Sequence, residues 1–125
     1  MSEKTAITPQ FIEEISVNIA REDILKLEGL IVELHIADIA EILESLSVDQ
    51  AQFLYQIIDE EKSAEILVEL DDDLREGLLS DLSPKEIAEE VIDNLETDDA
   101  ADVIGQLPEV KQEQVLSHIE DQDHA

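Results

Sequence analysis

Apolar residues recur about every 12 positions through most of the chain, at Leu34, Leu46, Ile58, Leu70, Leu82, Leu95, Leu107 and Ile119. The spacing slips once, by a single residue, before Leu95. Each of these stops is preceded by an apolar pair three and four residues upstream: Leu30 and Ile31, Ile42 and Leu43, Leu54 and Tyr55, Ile66 and Leu67, Leu78 and Leu79, Val91 and Ile92, Val103 and Ile104, Val115 and Leu116. Residues three and four apart share one stripe of a helix, so each unit predicts a short amphipathic helix.

The junctions carry start signals in place of long linkers. Thr8-Pro9 reads as an N-cap followed by proline in a first turn, ahead of a sticky face made by Phe11, Ile12, Ile15 and Ile19. A second helix is expected from about Asp23 to Leu34, with Gly29 inside it at a cost of roughly 1 kcal/mol relative to alanine. Close packing of a neighbour is the expected reason for that glycine. Ser47-Val48-Asp49-Gln50 and Ser83-Pro84-Lys85-Glu86 have the capping-box form. Thr97 is expected to cap a helix beginning at Asp98-Asp99, and Pro108 to stand in a first turn.

Helices this short are marginal alone and must stack to be stable. Joined by two or three residues, they should run antiparallel to their neighbours, two helices making a repeat of about 24 residues. The phrases Ala40-Glu41-Ile42-Leu43, Ala64-Glu65-Ile66-Leu67 and Ala101-Asp102-Val103-Ile104 hold the same place before their stops, and the alanine is expected where the next helix comes close. The fold class is therefore all-α: a small right-handed superhelix, or α-solenoid, of short stacked antiparallel helices with no strand. Residues 1–7 are expected to be a flexible tail, 8–120 the domain, and 121–125 the start of a linker.

Composition agrees with thin helical layers. The 125 residues are 43% hydrophobic but only 2% aromatic, so the core must be Leu, Ile, Val and Ala. Charge adds more: 34 acidic against 7 basic residues leave a formal net charge of -27, which repels nucleic acid and anionic membrane surfaces. A cation or a basic partner would relieve the self-repulsion. No cysteine is present, which removes disulfides and thiolate chemistry. No segment reaches the roughly 20 apolar residues of a membrane span, and the start lacks the pattern of a signal peptide.

Antiparallel alternation sorts the acids onto two rims. Asp49, Asp71-Asp72-Asp73 and Asp98-Asp99 are expected on one edge, with Asp59-Glu60-Glu61, Glu86 and Glu109 on the other. For most of them the ordinary role is a cap or a solvated helix start, favoured by the helix dipole. Asp98 and Asp102 stand four apart on one helix face, close enough to share a hard cation, and Glu65 holds the same place before its stop as Asp102. An EF-hand reading of the run from Asp71 to Gly77 fails, because Arg75 falls where an oxygen ligand is required and the glycine comes one place late. His35, His118 and His124 lack zinc-site spacing, and His35 reads as a junction residue.

The ordered series from His35 to Glu44, through Lys62-Ser63-Ala64-Glu65-Ile66-Leu67 and Leu82 to Glu86, to Asp98-Asp99-Ala100-Ala101-Asp102-Val103-Ile104, resembles the N-terminal cytosolic domain of MgtE-family magnesium transporters and channels. The resemblance covers about residues 22 to 120, and departs where the family usually has proline and this chain has Ile36, at a helix start. It implies a regulatory part of a larger homodimeric plasma-membrane protein, in which this cytoplasmic domain is followed by paired CBS domains, a connecting helix and a pore. It also implies that Mg²⁺ is shared between acidic faces of these parts and holds the closed arrangement, with Glu65, Asp98 and Asp102 matching acidic positions of such interdomain sites. The resemblance therefore implies a regulatory domain and no enzyme. The alternative reading is a protein-interaction adaptor resembling the repeat domains of flagellar motor switch proteins. A hydrolase acting through paired carboxylates would need a pocket that the pattern does not predict.

Overall fold

A computed structural model describes residues 7–123, and these are helical nearly throughout, with no strand among them. The first helix, α1 (Pro9–Ala20), starts as the sequence predicts, the Thr8 hydroxyl accepting from the Phe11 N–H at 3.1 Å. It closes on Glu22, whose φ of 55° is left-handed. The N–H groups of Glu22 and Asp23 donate back to the carbonyls of Ile19 and Asn18, both at 3.0 Å, a closure that usually employs glycine. The Asp23 carboxylate then caps α2 (Ile24–Ile31). That helix ends three residues earlier than expected, because the Leu34 N–H turns back to Ile31 in a tighter final turn. A Cβ on Gly29 would meet nothing within 4 Å, so the expected close neighbour is absent and this glycine faces open space.

The stack continues with α3 (Ile36–Glu44), α4 (Val48–Ile57), α5 (Glu60–Glu69) and α6 (Asp72–Asp81). Both predicted capping boxes are formed, Ser47 with Gln50 and Ser83 with Glu86. The seventh helix, α7, opens at Pro84–Glu86, widens into a π turn at Ile87–Val91 and tightens into a 3₁₀ turn at Ile92–Asn94. A π turn holds one residue more than the α-helical path it replaces, and this absorbs the single slip in the repeat before Leu95. Helix α8 (Thr97–Gln106) starts at Thr97, with Glu96 at the cap position in place of the expected Thr97. The last helix, α9, runs Glu109–Asp123, so the boundary expected at residue 120 falls inside a helix. Of the expected tail, residues 1–6 lie outside the described residues, and Ile7 rests against the core. Residues 124 and 125 of the expected linker also lie outside them.

Packing joins next-but-one helices, α3 against α5, α4 against α6, α5 against α7 and α7 against α9, while successive pairs such as α1–α2 and α3–α4 also touch. The core is a single cluster drawn from the stripes, aliphatic but for Tyr55, with Phe11 and Phe53 packed against it. Its most regular position lies eight residues after a stop, where Ile42, Leu54, Ile66, Leu78, Val103 and Val115 are at most 2% exposed. Burying each of these side chains stabilises the stack by about 1.5–3 kcal/mol. Of the recurring alanines, Ala40 and Ala64 are buried as expected, but Ala101 is exposed. Helix α8 lies at the margin of the stack, with Val103 as its one buried residue, so nothing presses on its alanine.

Candidate functional site

The helix ends that carry the acids meet in a set of open clefts. One, of about 770 Å³, lies between α5 and α7 and is lined by Asp59, Glu60, Glu61, Glu86 and Glu90, with Tyr55, Ile58 and Leu82 toward the core. Tyr55 is buried and its hydroxyl donates to the Ser63 carbonyl at 3.0 Å. Burial pushes that hydroxyl up to about 12, and the nearby charge of Glu90 adds to the rise. Partial desolvation raises the Glu90 carboxyl above the ordinary glutamate range, and the charges of Glu60, Glu86 and Glu89 add to the rise.

The three acids singled out from the sequence are not gathered in one place. Glu65 opens onto a cleft of about 440 Å³ that also holds Glu69, Glu96 and Asp99, over Ile36, Val68 and Leu95. Asp102 opens onto a different cleft of about 440 Å³, with Asp72, Arg75, Gly105 and Gln106. Asp98 is exposed in the first turn of α8. Among the described residues, no group of three or more acidic, histidine or cysteine side chains is placed to hold a metal ion by itself. The other sequence candidates serve helix starts. Asp71 caps α6 by accepting from the Leu74 N–H at 3.0 Å, and His35 precedes α3, its N–H donating to Asp38 at 3.4 Å.

Three of the basic side chains are turned toward helix ends. Lys62 donates to the Val32 carbonyl at 3.3 Å, Lys111 to Leu79 at 3.0 Å, and Arg75 to Leu67 and Leu70 at 3.2 and 2.7 Å. These carbonyls sit at or just past helix C-termini, where a cation is favoured. One ion pair forms among the described residues, Arg75 with Asp72 at 3.3 Å. The rim carboxylates are thus held close to one another with almost no fixed counter-charge. Of the residues that shape these clefts, Glu90, Arg75 and Tyr55 were not singled out from the sequence. Glu90 could have been, since it stands five residues before Leu95, as Glu65 does before Leu70 and Asp102 before Leu107.

These features define a class: a helical-repeat domain with a largely aliphatic core and open, anionic clefts between its helices. The chain matches the MgtE intracellular N domain over residues 34–125, and it belongs to that family. A crystal structure of the soluble part of a magnesium transporter is similar in fold, with a TM-score of 0.73 at 18% identity, covering 90% of this chain. The chain spans 47% of that relative's length. No curated protein matches the chain. Among the described residues, no helix is long and apolar enough to cross a membrane.

Proposed function

We propose that the chain is the cytosolic Mg²⁺-sensing domain of a magnesium transporter or channel, and that it acts through acidic surfaces shared with CBS domains and a connecting helix of the same homodimeric plasma-membrane protein. The observation that carries this reading is the surplus of carboxylates on the clefts over fixed cations, in a chain of this family. Their hard oxygens suit Mg²⁺, which keeps much of its water and needs only one or two carboxylates from any one surface. Glu65 with Asp99, and Asp102 with Asp72, each offer a partial set to a facing domain. Asp98 extends the same edge of α8. Carboxylates on two facing surfaces repel when bare and cease to when they share a cation, so Mg²⁺ favours the closed assembly in proportion to its preference for it.

Calorimetric titration with Mg²⁺ tests this on the chain alone and on the chain joined to a CBS pair encoded with it. Weak, poorly saturable binding is expected for the chain, and defined sites for the longer protein, reduced by Glu65→Gln, Asp98→Asn or Asp102→Asn. Equal binding by both proteins would contradict shared sites. No response in either would favour the adaptor reading.

A further inference from the structure

The extra residue before Leu95 has a definite place in the fold. In α5, one residue, Glu65, separates the buried Ala64 from the buried Ile66. In α7, two residues, Glu89 and Glu90, separate the buried Ala88 from the buried Val91. Counted from the preceding stop, Glu90 falls on the eighth place, which is apolar and at most 2% exposed in Ile42, Leu54, Ile66 and Leu78. A continuous α-helix from Pro84 would carry a carboxylate into the core there, which the desolvation of an unpaired charge opposes.

The π turn avoids that outcome. The Ile92 N–H is shared between the carbonyls of Ala88 and Ile87, the second being the wider five-residue step. Val91 then takes the buried place, 1% exposed, and Glu90 is left half-buried on the wall of the α5–α7 cleft. The Asn94 side chain donates to the Glu90 carbonyl at 2.9 Å and ties the turn to the helix end. Glu90 then faces a charged surround. From α5 come Asp59, Glu60 and Glu61, from its own helix Glu86 and Glu89, and from α4 the neutral Tyr55, committed to Ser63. From the α9 side, Lys111 is turned to Leu79.

We propose that the inserted residue is a positioning device: by widening α7 into a π turn it gives the helix two outward carboxylates where its sibling has one, and sets Glu90 in the cleft with Glu60. This goes beyond the sensing reading and does not depend on Mg²⁺. In that place Glu90 is half-buried beside Glu60 and Glu86, which favours its protonated form and makes its titration a readout of the turn.

Side-chain carbonyl NMR titration of Glu90 in the whole chain is the test, with protons as the only probe. Glu89→Gln removes the smallest of the contributing charges and keeps the turn, so most of the raised midpoint should survive. Deletion of Glu89 restores the 12-residue spacing, and should give a continuous α-helix with the Glu90 midpoint back in the ordinary range. Asn94→Ala changes no charge and serves if the deletion does not fold; loosening the turn should lower the midpoint part of the way. A Glu90 midpoint that stays raised in a folded deletion variant, or that Asn94→Ala leaves unmoved where the deletion does not fold, would overturn the proposal.

Discussion

The α5–α7 cleft and the α6–α8 cleft are both acidic, but only the second contains its own cation. In the first, Glu60, Glu86 and Glu90 meet with no basic side chain among the lining residues, and partial desolvation, joined by these charges, raises the Glu90 carboxyl. In the second, Arg75 lies between Asp72 and Gln106 and reaches inward to the last carbonyls of α5. Charge count already ranks the clefts as sinks for an added cation, with five carboxylates lining the first and two the second. The placement of one guanidinium widens the difference, because a fixed cation already offsets part of the repulsion that an ion would relieve.

The largest expected effect therefore lies at Arg75. Its side chain is 16% exposed and makes two of its four hydrogen bonds to backbone carbonyls, while its partner Asp72 is exposed and contributes little. Arg75→Met keeps the stem and removes the bonds to Leu67, Leu70 and Gln106, which should cost about 1–3 kcal/mol in urea unfolding at unchanged slope. A loss below about 0.5 kcal/mol, the range of ordinary surface changes, would erase the distinction between the two clefts.

Tyr55 probes the other cleft from its floor. It is the only tyrosine and the chain has no tryptophan, so phenolate absorbance reports on this group alone. A hydroxyl raised from 10 to about 12 on folding favours the folded state fully below pH 10, and that contribution is lost as pH rises through about 12. The titration midpoint should thus stand near 12 in the folded chain and fall toward 10 in denaturant. Tyr55→Phe should cost about 1 kcal/mol at neutral pH and remove this share of the alkaline loss.

The repeat of apolar stops made most of the fold legible, and it contained more than was taken from it. Helices begin two residues after a stop at Val48, Glu60, Asp72 and Pro84, and the same rule puts the start of α8 at Thr97. Threonine's preference for caps argued for the wrong residue, where the period argued for the right one. The slip before Leu95 marked the π turn without revealing it, since an extra residue can equally well lengthen a loop. The left-handed Glu22 carried no signal at all, as glycine is what announces that closure. For the site, equal places in the repeat did not mean one location. Glu65 and Asp102 both stand five residues before a stop, but α5 and α8 belong to opposite alternations of the stack, so their side chains open onto different clefts. The reach of Arg75 across a turn to α5 is a three-dimensional fact that spacing does not encode.

The smallest effect separates the margin of the stack from its packed interior with one chemical change. Gly105 lines the α6–α8 cleft, and a Cβ there would meet nothing within 4 Å. Gly77 lies inside α6, where a Cβ would come 3.2 Å from a methyl of Val48. Both are helical, so alanine gains about 0.5–1 kcal/mol at either place from the lost freedom of the unfolded chain. At Gly105 nothing opposes that gain, and Gly105→Ala should stabilise the chain by about this amount. At Gly77 the Val48 side chain must give way, and although it is 45% exposed and can turn, its shift subtracts from the same gain. Gly77→Ala should therefore raise the thermal midpoint less than Gly105→Ala does. Equal gains would mean that α4 and α6 are no more tightly apposed at Gly77 than α6 and α8 are across their open cleft, and the contrast between a packed seam and an open margin would fail.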